Sequence, residues 1–203
     1  MSLASYNELL TSVANWVHDD NLTSIIPDFV SFAEARIYRD LRIRAMETAL
    51  SSTISSGVIA VPSGYIDMKF AYVDGSEVRK LQRKNPEWIY THYRTRSSDG
   101  KPFCYAREGE NFIFGPYPDS AYTIKGVYYK RLTALSGSNN TNWFTTNAPD
   151  LLLAATMLEC MIYIQDDARI SFWEMKYNMI KDATQRQDDK EEFSGSTLSV
   201  TQA

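Results

Sequence analysis

Apolar positions recur along this chain with two periods, near 3.6 residues towards both ends and near 2 in the middle, and the change of period divides it. Close to the N-terminus, Leu9, Leu10, Val13, Trp16 and Val17 share a helical face, which predicts a helix from Ser5 to about His18. Ser5 followed three residues later by Glu8 has the form of a capping box, in which each side chain satisfies a backbone donor left open by the first turn. Asp19, Asp20 and Asn21 break the pattern. A second helix is predicted from Pro27 to Arg44, because proline is tolerated in a first turn and Phe29, Val30, Ala33, Ile37 and Leu41 form a core stripe. Arg36, Arg39 and Arg42 wind slowly round another face. They read either as a solvated row paired locally with Glu34 and Asp40, or as a contact for phosphates or acidic partner residues.

From Met46 the period drops to two. Thr48, Leu50, Thr53 and Ile54 predict one strand and residues 58–61 another, joined by Ser55-Ser56-Gly57. Tyr65 to Val73 and Ser76 to Leu81 are expected to pair across Asp74-Gly75, which suits a two-residue turn whose central positions both need positive φ. Asn85-Pro86-Glu87 opens a short helix to about Tyr93, and a polar loop runs from Arg94 to Lys101. Phe103 to Arg107 and Asn111 to Phe114 make a second hairpin across Glu108-Gly109-Glu110. Gly115-Pro116-Tyr117-Pro118 ends it, since proline cannot donate within a sheet. Tyr122 to Arg131 is the last strand, with Ile124, Val127 and Tyr129 as packing residues, and Leu135 to Asn142 is a Ser/Gly/Asn linker.

Leu151 to Ile164 is the most apolar stretch, interrupted only by Thr156 and Glu159. Its apolar groups fall on every side of a helix, which predicts burial nearly all round. It is too short to span a bilayer, which needs about 20 such residues. Asn147 is placed to cap it, Pro149 fits the first turn, and Asp150 complements the positive end of the dipole. The last helix, Asp167 to about Gln187, carries two apolar stripes. Ile170, Trp173, Tyr177 and Ile180 form one; Phe172, Met175 and Met179 form the other, roughly 150° away. A surface helix of a monomer needs one apolar face, so the second points to a neighbouring subunit unless both pack inside one chain. After the acidic run 188–192 the pattern stops. Residues 193–203, FSGSTLSVTQA, are expected to be extended or disordered alone, with Phe193, Leu198 and Val200 as anchors for a partner's groove.

These elements predict an α+β protein. Residues 1–45 and 143–190 build a helical bundle lobe from both chain ends, 46–142 form an inserted, mainly antiparallel β lobe with its linker, and 191–203 form an extended C-terminal tail. Thirteen tyrosines against two histidines argue against a histidine-rich metal or acid–base centre and suit surfaces that are half apolar and half wet. A net charge of −4 provides no general basic surface for nucleic acid. Cys104 and Cys160 are too few for a disulfide scaffold, and Cys160 lies in the core helix, which fits a reducing compartment. The opening MSLASYNELL lacks the pattern of a secretion signal, so the glycosylation triplets at Asn21 and Asn139 read as chance.

No catalytic or ligand motif stands out: there is no phosphate-binding glycine loop, HExxH, CxxC or GxSxG. His18 reads as a helix end and His92 as a surface or interface residue. Glu159, a carboxylate in the apolar helix, reads as the partner of a second-helix arginine or as that helix's wet edge. An enzyme of unfamiliar type centred on it is the weakest reading. Asp166-Asp167 caps the following helix more simply than it binds a cation. Trp88, Tyr90, Tyr93 and Arg94 pack between lobes or at an interface, or else stack on bases.

The second-helix passage IPDFVSFAEARIYRDLRIRAMET resembles the opening of the adaptor proteins of tailed bacteriophages, also called head-to-tail connectors or gatekeepers, particularly the short-tailed type. VDGSEVRKL, then FIFGPYPDSAYTIKGVYYKRLTALS, then TNWFTTNAPDLLLAATMLECMIYIQDD are similar in kind and order, so the resemblance covers roughly Tyr6 to Arg186. It implies a structural virion protein at the head–tail interface, assembled in the host cytoplasm, with no catalytic residue, cofactor, metal or membrane. Its partners would be its own copies in a dodecameric ring, the portal protein, a tail or nozzle protein, and phage DNA passing without sequence-specific binding. The C-terminal segment with Phe193, Leu198 and Val200 would reach the portal, and Phe172, Met175, Met179, Arg36, Arg39 and Arg42 are the candidate subunit-interface residues. A cyclic ring uses a different patch on each side of the subunit. Mild acidity suits a conduit, because every Lys or Arg that binds a phosphate makes DNA stick. The alternative is a nucleic-acid-binding module using Arg36, Arg39 and Arg42 with the aromatics of 88–94.

Overall fold

The stretch of period two and the chain on either side of it form separate compact units. Residues 46–131 make one; those up to 45 and from 132 onward make the other, which therefore includes the 132–142 linker. The structure, a computed structural model, describes residues 3–93 and 99–193.

The helical unit opens with α1 (Tyr6–Val17). Ser5 Oγ accepts from the Glu8 amide, and the Glu8 carboxylate reaches back to the Ala4 amide, one residue before the expected partner. His18 ends the helix in the left-handed conformation. Helix α2 (Ile26–Asp40) buries Phe29, Val30, Ala33 and Ile37. It stops short of the expected Arg44 because Leu41 turns extended, and Arg42 Nη1 donates to the Tyr38 and Leu41 carbonyls at 2.7 Å each, closing the helix end.

The central unit holds β1 (Glu47–Thr53), β2 (Val58–Ala60), β3 (Tyr65–Val73), β4 (Arg79–Lys80), β5 (Gln82–Arg83), α3 (Pro86–His92), β6 (Cys104–Glu108), β7 (Asn111–Gly115) and β8 (Thr123–Lys130). They build two four-stranded sheets, ordered β1-β8-β3-β4 and β2-β7-β6-β5, antiparallel except for β5 with β6. Leu50, Ile59, Met68, Leu81, Phe112 and Ile124 belong to one shared core. Two expectations fail here. Asp74-Gly75 is not a two-residue turn: the Asp74 amide still bonds the Thr123 carbonyl, so the connection to β4 is the longer loop 74–78. In β8 the inward residues are Ile124, Gly126 and Tyr128, one position out of step with Val127 and Tyr129. Gly126 sets that register, since a Cβ there would lie 2.2 Å from the Phe70 carbonyl oxygen.

Back in the helical unit, α4 (Trp143–Asn147), α5 (Pro149–Ile164) and α6 (Asp167–Phe193) follow. Asn147 is not the cap of α5. It is the last residue of α4, an extra turn whose own start is capped by Asn142 and Thr145 in reciprocal bonds. Helix α5 is buried from Leu151 to Met161 apart from half-buried Leu153 and Glu159, whereas its last turn, Ile162 to Ile164, is exposed. Helix α6 continues through the acidic run to Phe193, past the expected end at Gln187. Among the described residues no helix is long and apolar enough to cross a membrane.

Candidate interaction surface on the last helix

The inner stripe of α6 is the part the helical unit uses. Trp173 and Tyr177 are almost wholly buried, with Ile170 and Ile180 half-buried beside them. Tyr177 Oη donates to Asp40 Oδ2 at 2.9 Å; burial first, and then this bond to a carboxylate, push the phenol pKa up. Beyond α2 the chain runs along α6 and bonds to it repeatedly. The Arg42 amide donates to Gln185 Oε1 at 3.3 Å, and Arg44 holds Asp188 through its amide at 3.0 Å and its Nε at 3.1 Å. Arg44 also grips Glu191. These partners help the helix persist through the mainly acidic run 188–192. Arg44 was not among the candidate residues, because 144 positions separate it from Asp188 and no local pattern links the two.

The arginine row divides. Arg36 binds Glu159 through Nε and Nη2, both at 2.7 Å, the ion pair expected for that carboxylate. Arg42 is taken up in closing α2, and Arg39 is exposed. The expected local pairing with Glu34 and Asp40 is absent among the described residues: Asp40 serves Tyr177 instead. Glu34 is 4% exposed and accepts from the Leu135 amide at 3.3 Å and from Asn142 Nδ2 at 3.1 Å. Burial raises its pKa to about 7 against the opposing pull of those two donors. Its place between Val30 and Ile37 on the core face was legible from helical spacing.

The outer stripe is uncovered. Phe172, Met175 and Met179 are 50%, 64% and 63% exposed. The Lys176 ammonium lies 5.1 Å from the Trp173 ring centre and 6.0 Å from that of Phe172. Trp16, itself exposed, meets Trp173 edge-on with ring centres 5.6 Å apart. A contiguous aromatic and methionine surface on one helix has no catalytic chemistry. Exposed apolar patches of this kind are characteristic of interaction sites.

The other candidates find local partners. Asp166 Oδ1 accepts from the Arg169 amide at 3.1 Å and so caps α6. In the central unit Trp88 stacks on His92 with ring centres 4.0 Å apart beneath the Lys84 ammonium, Tyr93 packs edge-on against Phe103, and Tyr90 donates to Glu108. Arg94, Leu198 and Val200 lie outside the described residues, and Phe193 closes α6. Comparison with curated proteins returns no match. The sequence model of the family described as SU10 adaptor protein matches residues 4–200.

Proposed function

The chain belongs to the SU10 adaptor protein family, and from that premise we propose that it is a structural virion protein that forms a ring beneath the portal, joins the phage head to the tail and extends the DNA channel. The observation that carries this reading is the uncovered stripe of Phe172, Met175 and Met179 behind a helix whose opposite stripe is already buried. One copy has no use for that area, whereas a neighbouring copy in a closed ring would cover it. Twelve copies, with portal above and a tail component below, are the assembly we assign. Arg39, Arg36 and Arg42 would flank the subunit contact, the last two through residues they already order. Phe193, Leu198 and Val200 would reach the portal. We assign no catalytic step, cofactor or metal.

The test is direct. Purified chain is mixed with its cognate portal and imaged. The expected product is a ring of copies seated on the portal; two folded proteins that yield no ring overturn the reading. The nucleic-acid alternative has less to stand on, because Arg36 and Arg42 are engaged within the unit and the 88–93 aromatics pack against their own neighbours.

A further inference from the structure

Met179, at the end of the uncovered stripe, is also part of a groove of about 700 Å³ in the helical unit. Trp143, Ile180 and Ala183 supply its apolar lining, and Asp150, Asp188 and Glu191 its acidic groups. Arg44 is the one basic residue in that lining, and Asp188 and Glu191 already hold it. Three carboxylates therefore face a single guanidinium. Along α6 the lining spans residues 179–191, about 18 Å of helix.

The central unit carries an exposed apolar side chain followed by two bases. Val78 in the loop 74–78 is 67% exposed, more than any other large apolar side chain among the described residues, and exposed Arg79 and Lys80 follow it directly. The loop is held in place: Arg79 Nη1 donates to the Lys101 carbonyl at 3.2 Å, and Lys101 Nζ donates to the Glu77 carbonyl. Charge divides the same way. Residues 46–131 carry twelve Lys and Arg against nine Asp and Glu, net +3, while the rest of the chain carries nine against sixteen, net −7.

We propose that the groove of one copy receives the Val78–Lys80 segment, the end of the 74–78 loop with β4, of a second copy, with Val78 against Met179 and Ala183 and the two bases facing Asp150, Asp188 and Glu191. This rests on the ring reading and names the two patches that meet. Knob and groove are different patches of the same chain, so every copy offers one of each and repetition generates a head-to-tail array, which the proposed ring closes. The oppositely charged partner pieces both being on this chain is what selects a second copy as occupant.

Introduced cysteines test it, because the native Cys104 and Cys160 are buried. Val78→Cys and Ala183→Cys are combined in one chain, and particles carrying it are oxidised mildly. A reducible ladder of covalent chain multiples is expected, lost when Arg79→Glu and Lys80→Glu are added. Mixing the two single-cysteine chains as purified protein at high concentration should give dimers and nothing larger. A chain present at the head–tail vertex without a ladder overturns the proposal and leaves the ring reading standing. Crosslinks confined within one chain overturn it too. If the double variant stays out of particles, concentrated purified protein decides: a ladder there supports the docking, and monomer alone overturns it. A ladder from purified protein, with the unsubstituted chain missing from the vertex, overturns the virion reading instead.

Discussion

Glu34 is a carboxylate in the core face of α2, and its burial has a pH signature. Its pKa of about 7 in the folded chain stands above the unfolded value of about 4.3, so the folded state favours the protonated form. The stabilisation is therefore complete below the unfolded pKa and is lost as pH rises through 7, by about 4 kcal/mol in all. Glu34→Gln keeps the shape and an acceptor for the Leu135 amide but removes the titration. Chemical denaturation at pH 5 and pH 8 should show the parent chain losing more stability over that interval than the variant, by up to about 3 kcal/mol. Equal losses would show that Glu34 ionises without cost. At this scale a sequence discloses spacing better than partners. Ser5 with Glu8 and Asp166 at the start of α6 were legible because each follows from position on a helix, and Glu159 was legible only as a carboxylate in an apolar helix in need of a cation. Tyr177 with Asp40, Arg44 with Asp188 and Glu34 with Leu135 join residues 101 to 144 positions apart, and no local period announces them.

Among elements, α6 makes the sharpest contrast, because neighbouring residues on it belong to different surfaces. Trp173→Ala removes a buried ring and should cost about 3–5 kcal/mol, read as a fall in denaturation midpoint. Phe172→Ala, one position along and half exposed, should cost under about 1 kcal/mol in the isolated chain. A Phe172 variant as damaging as the Trp173 variant would mean that the outer stripe is core. The β elements show why strand existence is easier to read than register. The alternation around β8 allows either phase, and only the close approach of Gly126 to β3 decides between them. Gly126→Ala should accordingly destabilise the central unit by about 1–3 kcal/mol, since a methyl group meets backbone that cannot give way; unchanged thermal unfolding would count against that account. The same distinction holds for α4. Its reciprocal cap at Asn142 and Thr145 sits in a stretch whose Ser, Gly and Asn content reads as linker, so the extra turn was hidden by composition.

For the whole molecule the deciding quantity is where charge lies rather than how much there is. A ring that extends a DNA channel, as proposed above, must let DNA slide, and each phosphate neutralised by a bound Lys or Arg adds affinity that salt then removes. Here the net charge is −4, Arg36 and Arg44 are paired with carboxylates, and Arg42 is committed to a helix end. The isolated chain should thus hold duplex DNA no more tightly than the weak end of non-specific binding, with a dissociation constant of about 10⁻⁴ M or higher at physiological salt. Replacing Arg36, Arg39 and Arg42 together by Gln should leave that value within about twofold, although losing the Glu159 partner will lower stability. Filter retention of a labelled duplex across a salt series checks both statements. Micromolar affinity that falls steeply with salt and disappears with the three arginines would identify a DNA-binding module. Weak retention indifferent to those arginines leaves protein surfaces, the stripe on α6 foremost, as the sites through which this chain acts.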